Sequence, residues 1–403
     1  MKVLQINVVS GIRSTGRIVS EIVDVLNQTG NKGVIACSSR KSTNNEIKIG
    51  NKIDTKIHSL LSRIFGTQAY FSKRATKRLL NSVSKLNPDV VHLHNLHSNY
   101  INLKLLLNYL AKNDIPTVIT LHDCWFYTGK CTHYTVYNCY KWQTECGGCP
   151  RLKKDNPSWI FDRTQKMRQD KMKWFSAIPR LAVVGVSDWI TSEARKSFLS
   201  SAKIITRIYN WIDLKTFKPS EPTTLKKKLS LQDKFIILGV ASGWSNAKGL
   251  DKFIELAGKV SSDTTIVLVG GMNGNINFPA NVIHIKETHD ATELAQYYSL
   301  ADVYLHLSLE ETFGKTIAEA LACGTPAVVF DSTACAEVVG KDCGIVVSPN
   351  DMEAVYQAVL EIKDSGKGKF SDKCIQRTFE NFNMDDNIKQ TINLYHEIVE
   401  YVD

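Results

Sequence analysis

Two α/β domains, each built on a parallel sheet with helices on both faces, are predicted by three features of the sequence. At 403 residues the chain exceeds what one hydrophobic core usually serves. Short, nearly continuous apolar runs recur along it, a pattern typical of strands that are buried on both faces of a parallel sheet. Helix-like stretches separate these runs, so strands and helices alternate through the whole chain.

The apolar runs form two series, one for each predicted domain. The strands predicted in chain order are Val3–Val9, Val34–Cys37, Val90–Leu93, Thr117–Leu121 and Leu181–Val186, followed by Phe235–Val240, Thr265–Val269, Val282–Ile285, Val303–Leu307, Ala327–Phe330 and Gly344–Val347. Two such series in one chain predict two Rossmann-like domains.

A break in the alternating pattern predicts the domain boundary. Pro219 and Pro222 interrupt the pattern just after the first series. We therefore predict a first domain over residues 1–212 and a second over residues 213–382. Apolar residues near helical spacing then predict a final helix within residues 383–403, which packs back on the first domain.

Composition favours a globular chain without membrane-spanning segments. Hydrophobic residues make up 43% of the chain and charged residues 22%. No segment approaches the apolar run of about 18 residues that spans a bilayer. The start, Met1–Val9, is interrupted by Gln5 and Asn7, and it predicts a first buried strand rather than a signal peptide. A cytoplasmic location is expected.

Positive charge is concentrated in residues 56–85. The net charge is +10, and the stretch from Lys56 to Pro88 holds no Asp or Glu. Because apolar residues are mixed into it, this region fits a basic amphipathic surface that docks on anionic lipid headgroups. It also fits a solvated helix face whose apolar side lies in the core. No signature of a nucleic-acid-binding module accompanies it, so no nucleic-acid partner is expected.

A helix start after the predicted strand Val303–Leu307 is a candidate phosphate site. Gly314 permits close approach of a ligand to the backbone. A helix is predicted from about Lys315 to Cys323, and the amides of Lys315 and Thr316 at its amino terminus are suited to phosphate oxygens. Ligands of open parallel sheets bind beyond the carboxyl ends of the strands, where this helix begins.

Two glutamates flank this helix start. Glu311 precedes the predicted helix by one turn, and Glu319 lies a little over one turn inside it. Because a carboxylate repels a phosphate, both are better assigned to hydroxyl groups, one on a sugar and one on a ribose. The pattern predicts a site for a sugar nucleotide.

The arrangement Glu311-x7-Glu319, continued by Gly324-Thr-Pro326, resembles the signature of retaining GT-B glycosyltransferases of family 4. The resemblance implies two Rossmann-like domains whose parallel sheets face each other across a cleft. It assigns Glu311 to the hydroxyls of the transferred sugar and Glu319 to the ribose. It assigns the amides of Lys315 and Thr316 to the pyrophosphate.

The same resemblance assigns a cation to the diphosphate. Lys248, which follows a predicted strand, corresponds to a lysine of the family. The family usually carries an arginine five residues earlier, where this chain has Gly243. For this phosphate contact, Arg13 or Arg17 of the first domain is a candidate replacement.

Loops of the first domain supply further candidates. By resemblance, Gly16 matches the glycine whose amide approaches the donor phosphate, and His122 matches a histidine that contacts the donor sugar. His94, Asn95 and His97 cluster after another strand. These three residues either line the acceptor pocket or cap the ends of strands.

The resemblance also implies the chemistry. In a retaining transfer of this type the departing phosphate oxygen accepts the proton of the acceptor, so no general base is needed. Glu311, His122 and Lys248 are the expected catalytic residues, which act by positioning and by electrostatic stabilisation of the leaving diphosphate. No cofactor is required for catalysis.

Ten cysteines in a chain expected to be cytosolic argue against disulfides. Five of them lie in an insert at residues 124–150. Cys131, Cys139, Cys146 and Cys149 fit a closed structural zinc site. They also fit a set of reduced thiols, or a redox pair formed by Cys146 and Cys149.

The insert and the first loop narrow the resemblance to the colanic-acid-type exopolysaccharide subgroup. The predicted function is transfer of a hexose from a nucleotide-diphosphate sugar to a lipid-linked glycan acceptor, by an enzyme that is peripheral on the inner face of the cell membrane. One alternative is a sugar-nucleotide epimerase or hydrolase of the same fold. Another is a zinc-stabilised nucleic-acid binder.

Overall fold

The computed structural model describes residues 1–40, 46–272, 274, 276–288 and 290–401. The chain divides into two compact units. The first unit comprises Met1–Ile208 together with Ile388–Asp403, and the second comprises Tyr209–Asn387. The divisions follow Ile208 and Asn387, whereas the sequence predicted them after residues 212 and 382.

The first unit is a parallel sheet with intervening helices. Its elements are β1 (Lys2–Ser10), α1 (Arg13–Gln28), β2 (Lys32–Arg40), β3 (Glu46–Lys48), α2 (Lys52–Phe65), α3 (Lys73–Leu86), β4 (Val90–Leu93), α4 (Leu103–Lys112), β5 (Thr117–Leu121), α5 (Thr164–Phe175), β6 (Leu181–Gly185), α6 (Asp188–Arg195) and β7 (Ile204–Arg207). Seven strands pair in parallel in the order β3-β2-β1-β4-β5-β6-β7.

The second unit has the same design with six strands. Its elements are α7 (Thr223–Lys228), β8 (Phe235–Trp244), α8 (Leu250–Ala257), β9 (Thr264–Met272), β10 (Val282–Ile285), α9 (Ala291–Leu300), β11 (Val303–His306), α10 (Lys315–Ala322), β12 (Ala327–Phe330), α11 (Cys335–Val339), β13 (Gly344–Val347), α12 (Met352–Ser365) and α13 (Gly368–Asn381). The strands pair in parallel in the order β10-β9-β8-β11-β12-β13.

A last helix, α14 (Met384–Glu400), joins the first unit from Ile388 onward. Its side chains at Ile388, Leu394, Tyr395 and Ile398 are buried. The hydroxyl of Tyr395 accepts a hydrogen bond from Gln5 Nε2 at 2.9 Å, so a polar contact fixes the helix against β1.

All eleven predicted strands are present, and two further strands lie at the edges of the first sheet. β3 has three residues, and the four residues of β7 are only half-buried. Edge strands need fewer apolar side chains than central strands, so neither gives the continuous apolar run that identified the others.

In each sheet the strand order reverses once. The reversal lies between β1 and β4 in the first unit and between β8 and β11 in the second. Ligands of open parallel sheets bind beyond the carboxyl ends of the strands at such a point. The loops that follow β8 and β11 contain Lys248 and Glu311, and the loops that follow β1 and β4 lead to Gly16 and His94.

The basic region is built from α2 and α3, which differ in their burial. In α3 the apolar side chains of Leu79 and Val83 are buried, and the basic side chains face solvent. In α2 the buried residues are His58 and Ser62, and four large apolar side chains are exposed, those of Ile53, Ile57, Leu60 and Phe65. Within the described part of the chain, no helix is both long enough and apolar enough to span a membrane.

Candidate functional site

In the second unit, the loops after β8 and β11 bring a lysine, a glutamate and a histidine together. Lys248 Nζ lies 2.5 Å from Glu311 Oε1. The same carboxylate oxygen lies 3.3 Å from Nε2 of His306, the last residue of β11. The Glu311 amide donates to Thr333 Oγ1 at 2.9 Å, which fixes the backbone beneath the carboxylate.

The environment of Glu311 favours its ionised form. Burial by itself would raise the pKa of this carboxyl, but the contacts with His306 and Lys248 outweigh that effect and hold the pKa well below its usual range. The site therefore presents a carboxylate and an ammonium side by side at neutral pH.

Helix α10 begins at Lys315, four residues after Glu311. Gly314 precedes the helix with a φ of 80°, in the left-handed region, and a Cβ added there would lie 2.7 Å from the side chain of Ile317. Glycine is therefore favoured at this turn both by the backbone conformation and by the lack of space for a side chain. The amides of Lys315 and Thr316 belong to the first turn of the helix, where amides have no acceptor within the helix itself.

Glu319 lies one turn farther along α10. Its side chain is buried, and its Oε2 atom accepts a hydrogen bond of 2.9 Å from the hydroxyl of Tyr298 on α9. Thr316 Oγ1 likewise accepts a hydrogen bond of 2.8 Å from Tyr304. Two tyrosines thus hold the polar side chains of this helix in fixed positions.

Sequence reasoning did not single out His306, Tyr298 or Thr333. His306 could have been found from its place at the carboxyl end of a predicted strand, where ligand-contacting residues concentrate. Tyr298 and Thr333 reach the two glutamates from distant parts of the chain, so only the tertiary structure identifies them.

In the first unit, Gly16 and Arg17 lie in the first turns of α1. A Cβ added at Gly16 would lie 3.0 Å from the side chain of Val9, so the helix start packs closely on the end of β1. Its carbonyl accepts a 3.0 Å hydrogen bond from the amide of Gly11. The side chain of Arg17 is exposed.

Buried polar side chains connect His122 to the last helix. Gln5 uses Nε2 to donate to Tyr395, so its Oε1 atom is the acceptor for His94 Nε2 at 2.8 Å. A neutral His94 with its proton on Nε2 has a lone pair on Nδ1. That atom lies 2.9 Å from His122 Nε2, which must therefore donate. The network thus places the proton of His122 on Nε2 and its lone pair on Nδ1.

All of these imidazoles are uncharged at neutral pH. Burial lowers the pKa of His92 to about 3 and that of His122 to about 4. Burial also holds the pKa of His94 well below its usual value. His92 completes the cluster through bonds of 2.7 Å to Tyr395 and to Thr120.

The three residues predicted near the acceptor differ in accessibility. His94 is fully buried with both ring nitrogens hydrogen-bonded, and one of these bonds positions His122. Asn95 and His97 are partly exposed, and His97 Nε2 lies 2.9 Å from Asp123 Oδ2.

Four of the five cysteines of the insert, Cys131, Cys139, Cys146 and Cys149, line one cavity of the first unit. None of the ten cysteines forms a disulfide bond, and the thiols of Cys131 and Cys149 share a hydrogen bond. Among the residues that the structure describes, no three His, Cys, Asp or Glu side chains are already arranged around a metal position.

Both units match known protein families. Residues 221–381 match the family described as glycosyl transferases group 1. Residues 15–216, half of the chain, match the family described as glycosyltransferase family 4. The chain belongs to glycosyltransferase family 4. The predicted fold class, two Rossmann-like α/β domains of the GT-B type, is confirmed, as is the prediction of a glycosyltransferase.

This glycosyltransferase is 26% identical over 324 residues to Escherichia coli K12 WcaC, a protein named for colanic acid biosynthesis, and the alignment covers 77% of each chain. Among solved structures, it is similar to sucrose-phosphate synthase from Thermosynechococcus elongatus, with a TM-score of 0.71, 16% identity and 98% coverage of each chain. It is also similar to Anabaena HepE in complex with UDP, with a TM-score of 0.68, 15% identity and coverage of 98% and 100%.

Family membership decides between the reaction classes that the sequence left open. It makes glycosyl transfer the activity, and it decides against a zinc-stabilised nucleic-acid binder and against a non-transferring epimerase or hydrolase.

The buried histidines of the transferase predict how its stability depends on pH. Between pH 6.5 and about 4 the unfolded chain binds protons at His92 and His122 that the native state does not bind. The free energy of unfolding is therefore expected to fall as the pH falls through this window, by up to about 1.4 kcal/mol per pH unit for each histidine.

Urea denaturation at several pH values between 7.5 and 4.5 measures this slope. His92→Gln is expected to reduce the slope, whereas His396→Gln, at an exposed position of α14, is expected to leave it unchanged. Equal slopes for the parent protein and His92→Gln would contradict the prediction.

Proposed function

We propose that the enzyme transfers a hexose from a nucleotide-diphosphate sugar to a lipid-linked glycan acceptor, with retention of anomeric configuration, in exopolysaccharide or surface polysaccharide biosynthesis. The observation that carries the donor assignment is the cluster of Lys248, Glu311 and His306 beside the amino terminus of α10. The similarity to WcaC supports the colanic-acid-type subgroup.

The cluster suits the two halves of a sugar nucleotide. The ammonium of Lys248 and the amides of Lys315 and Thr316 are positive groups that attract a diphosphate. The carboxylate of Glu311 repels phosphate and accepts hydrogen bonds from hydroxyls, so we assign it to the transferred sugar. Glu319, one turn farther along α10, is assigned to the ribose.

The family resemblance also assigns groups of the first unit to the donor. We assign the Gly16 amide and the Arg17 side chain to the donor phosphates and His122 to the donor sugar. His94 holds the proton of His122 on Nε2, which fixes the tautomer of this imidazole. Asn95 and His97 are the proposed acceptor residues, since both retain exposed surface.

The proposed transfer takes place on one face of the donor sugar. The bond from the anomeric carbon to the phosphate oxygen breaks, the acceptor oxygen bonds to that carbon on the same face, and the departing phosphate oxygen takes the acceptor's proton. Positive groups around the diphosphate stabilise its developing charge, and Glu311 holds the sugar in place. These residues supply the whole step, so no catalytic cofactor is proposed.

The exposed side chains of α2 support a membrane-borne acceptor. Ile53, Ile57 and Leu60, at helical spacing, are 67%, 52% and 48% exposed, and Phe65 is 48% exposed. Lysines and arginines flank them on α2 and α3. Exposed apolar side chains beside basic ones are typical of surfaces that dock on anionic lipid headgroups.

A second apolar segment lies against the end of α2. Trp159, Ile160 and Phe161 are all exposed, and the Trp159 amide donates to the Arg63 carbonyl at 2.7 Å. The guanidinium of Arg63 lies 5.8 Å from the centre of the Trp159 ring. We propose that this segment and α2 together place the enzyme on the inner face of the cell membrane, where it reaches a lipid-linked acceptor.

Loss of the charge at Glu319 is expected to weaken donor binding. Glu319→Gln replaces a buried carboxylate by a neutral group of similar shape, and a hydrogen bond to a charged group contributes about 1.5–3 kcal/mol, which corresponds to roughly ten- to hundredfold in affinity. Titration calorimetry against a panel of nucleoside diphosphates and sugar nucleotides measures this loss and identifies the preferred base. Glu361→Gln, an exposed position on α12, is the matched control. A donor affinity that Glu319→Gln leaves intact would refute the assignment.

Gly243→Arg is expected to tighten diphosphate binding. Position 243 is exposed, its φ is not positive, and a Cβ added there meets no atom within 4 Å, so the substitution fits without strain. We expect a gain of about tenfold, close to 1.4 kcal/mol, from the added cation. Gly243→Gln adds length without charge and should leave the affinity unchanged. If Gln tightens binding as much as Arg, or if Arg has no effect, position 243 does not face the diphosphate.

The α2 surface is expected to bind anionic vesicles. The parent protein should sediment with vesicles that contain phosphatidylglycerol, less so at high salt, and little with neutral phosphatidylcholine. The double substitution Ile57→Ser and Leu60→Ser removes two exposed apolar side chains and should weaken binding at least tenfold, as expected from roughly 1.5–3 kcal/mol for each fully buried side chain. Phe379→Ser, which removes a 62% exposed side chain from α13, is the control. Equal loss in both variants, or no vesicle binding by the parent, would reject this surface.

A further inference from the structure

We propose that Cys131, Cys139, Cys146 and Cys149 hold a structural zinc ion in the first unit. The four side chains come from three parts of the segment between β5 and α5, yet they line a single cavity. Four thiolates with tetrahedral geometry are the usual ligand set of a closed zinc site. This inference is independent of the donor and the acceptor.

The backbone between Cys146 and Cys149 supports the proposal. Gly147 and Gly148 have φ values of 136° and 52°, which favour glycine, and they form a tight turn between the two thiols. Lys141 Nζ donates to the carbonyls of both glycines at 3.0 and 3.3 Å, which holds the turn in place. A Cys-x2-Cys turn of this kind presents two sulfur atoms to one cation.

The contacts of the thiols favour a metal over a redox pair. Cys131 shares its hydrogen bond with Cys149, a residue 18 positions later, so the thiols gather across the segment and not only within the Cys-x2-Cys turn. On binding, the four thiols would lose their protons, and the sulfur atoms would move to about 2.3 Å from the ion.

The charge around the cavity also supports a zinc site. Four thiolates with one Zn²⁺ carry a net charge of −2, and two lysines, Lys130 and Lys141, line the cavity. Lys130 is only 2% exposed, and its Nζ atom donates to the carbonyls of Arg151, Leu152 and Lys154. A buried ammonium held beside the cluster offsets the excess negative charge.

The segment needs a crosslink of this kind. Between Leu121 and Thr164 its regular structure consists of three short 3-10 turns, Cys124–Phe126, Thr135–Tyr137 and Lys141–Gln143. A connection of this length with so little secondary structure loses much conformational entropy on ordering, and a metal held at four points offsets that cost. The segment begins at His122, so the ion would also stabilise the backbone that carries the proposed sugar contact.

Metal content and cobalt substitution test the proposal. The full-length protein, purified without chelators, is expected to contain about one zinc per chain by plasma mass spectrometry. Exchange with Co²⁺ should produce the intense visible and near-ultraviolet absorption of a tetrahedral tetrathiolate site. Cys131→Ser and Cys146→Ser are expected to lose at least half of the bound zinc and to change the cobalt spectrum. Cys124→Ala, a buried cysteine of the same insert that does not line the cavity, should keep both.

If the serine variants do not fold, the cobalt spectrum of the parent protein tests the zinc proposal by itself. Parent protein without zinc and without a thiolate–cobalt spectrum would overturn the proposal. A mass 2 Da below that of the reduced chain, with Cys146 and Cys149 joined in a disulfide, would also overturn the proposal, because it would identify a redox pair. Zinc retained by both serine variants would show that the ion lies elsewhere.

Discussion

Parallel pairing of every strand in the two sheets is the constraint on which the rest of the molecule depends. Parallel strands all point the same way, so their carboxyl ends meet at one edge, and helices must cover both faces. The polar loops are therefore gathered at that edge, next to the place where the strand order reverses. Lys248 and Glu311 are 63 positions apart in sequence and meet there because β8 and β11 are neighbours.

Polar groups that are buried at the carboxyl-terminal edge of the first sheet must be hydrogen-bonded. In the first unit Gln5, His94 and His122 are linked in a series that ends at Tyr395 of the last helix. Gln5 and His94 each use both of their hydrogen-bonding ends, and an unpaired buried group would cost about 1–3 kcal/mol. The same network that anchors α14 thus also fixes which nitrogen of His122 carries the proton.

Helix α2 of the first unit has an unusual burial pattern, with polar side chains buried and large apolar ones exposed. This helix buries His58, whose Nδ1 atom lies 2.7 Å from Ser72 Oγ, and exposes Ile53, Ile57 and Leu60. Exposure of several large apolar side chains on one helix is unfavourable in water, and it is typical of a surface that binds a partner or a membrane. The neighbouring α3, with a larger excess of basic residues, has the ordinary pattern of an apolar face in the core.

The sequence by itself determined the two parallel sheets, the central strands and the start of α10, because these depend on local patterns. Runs of buried apolar residues mark central strands, and a glycine with positive φ marks the turn before the helix. Only the tertiary structure decided which face of α2 is buried, that His94 contacts His122, and that His306 joins Lys248 at Glu311. Those features depend on which loops the strand order brings together, and residues distant in the chain carry no local signal of that pairing.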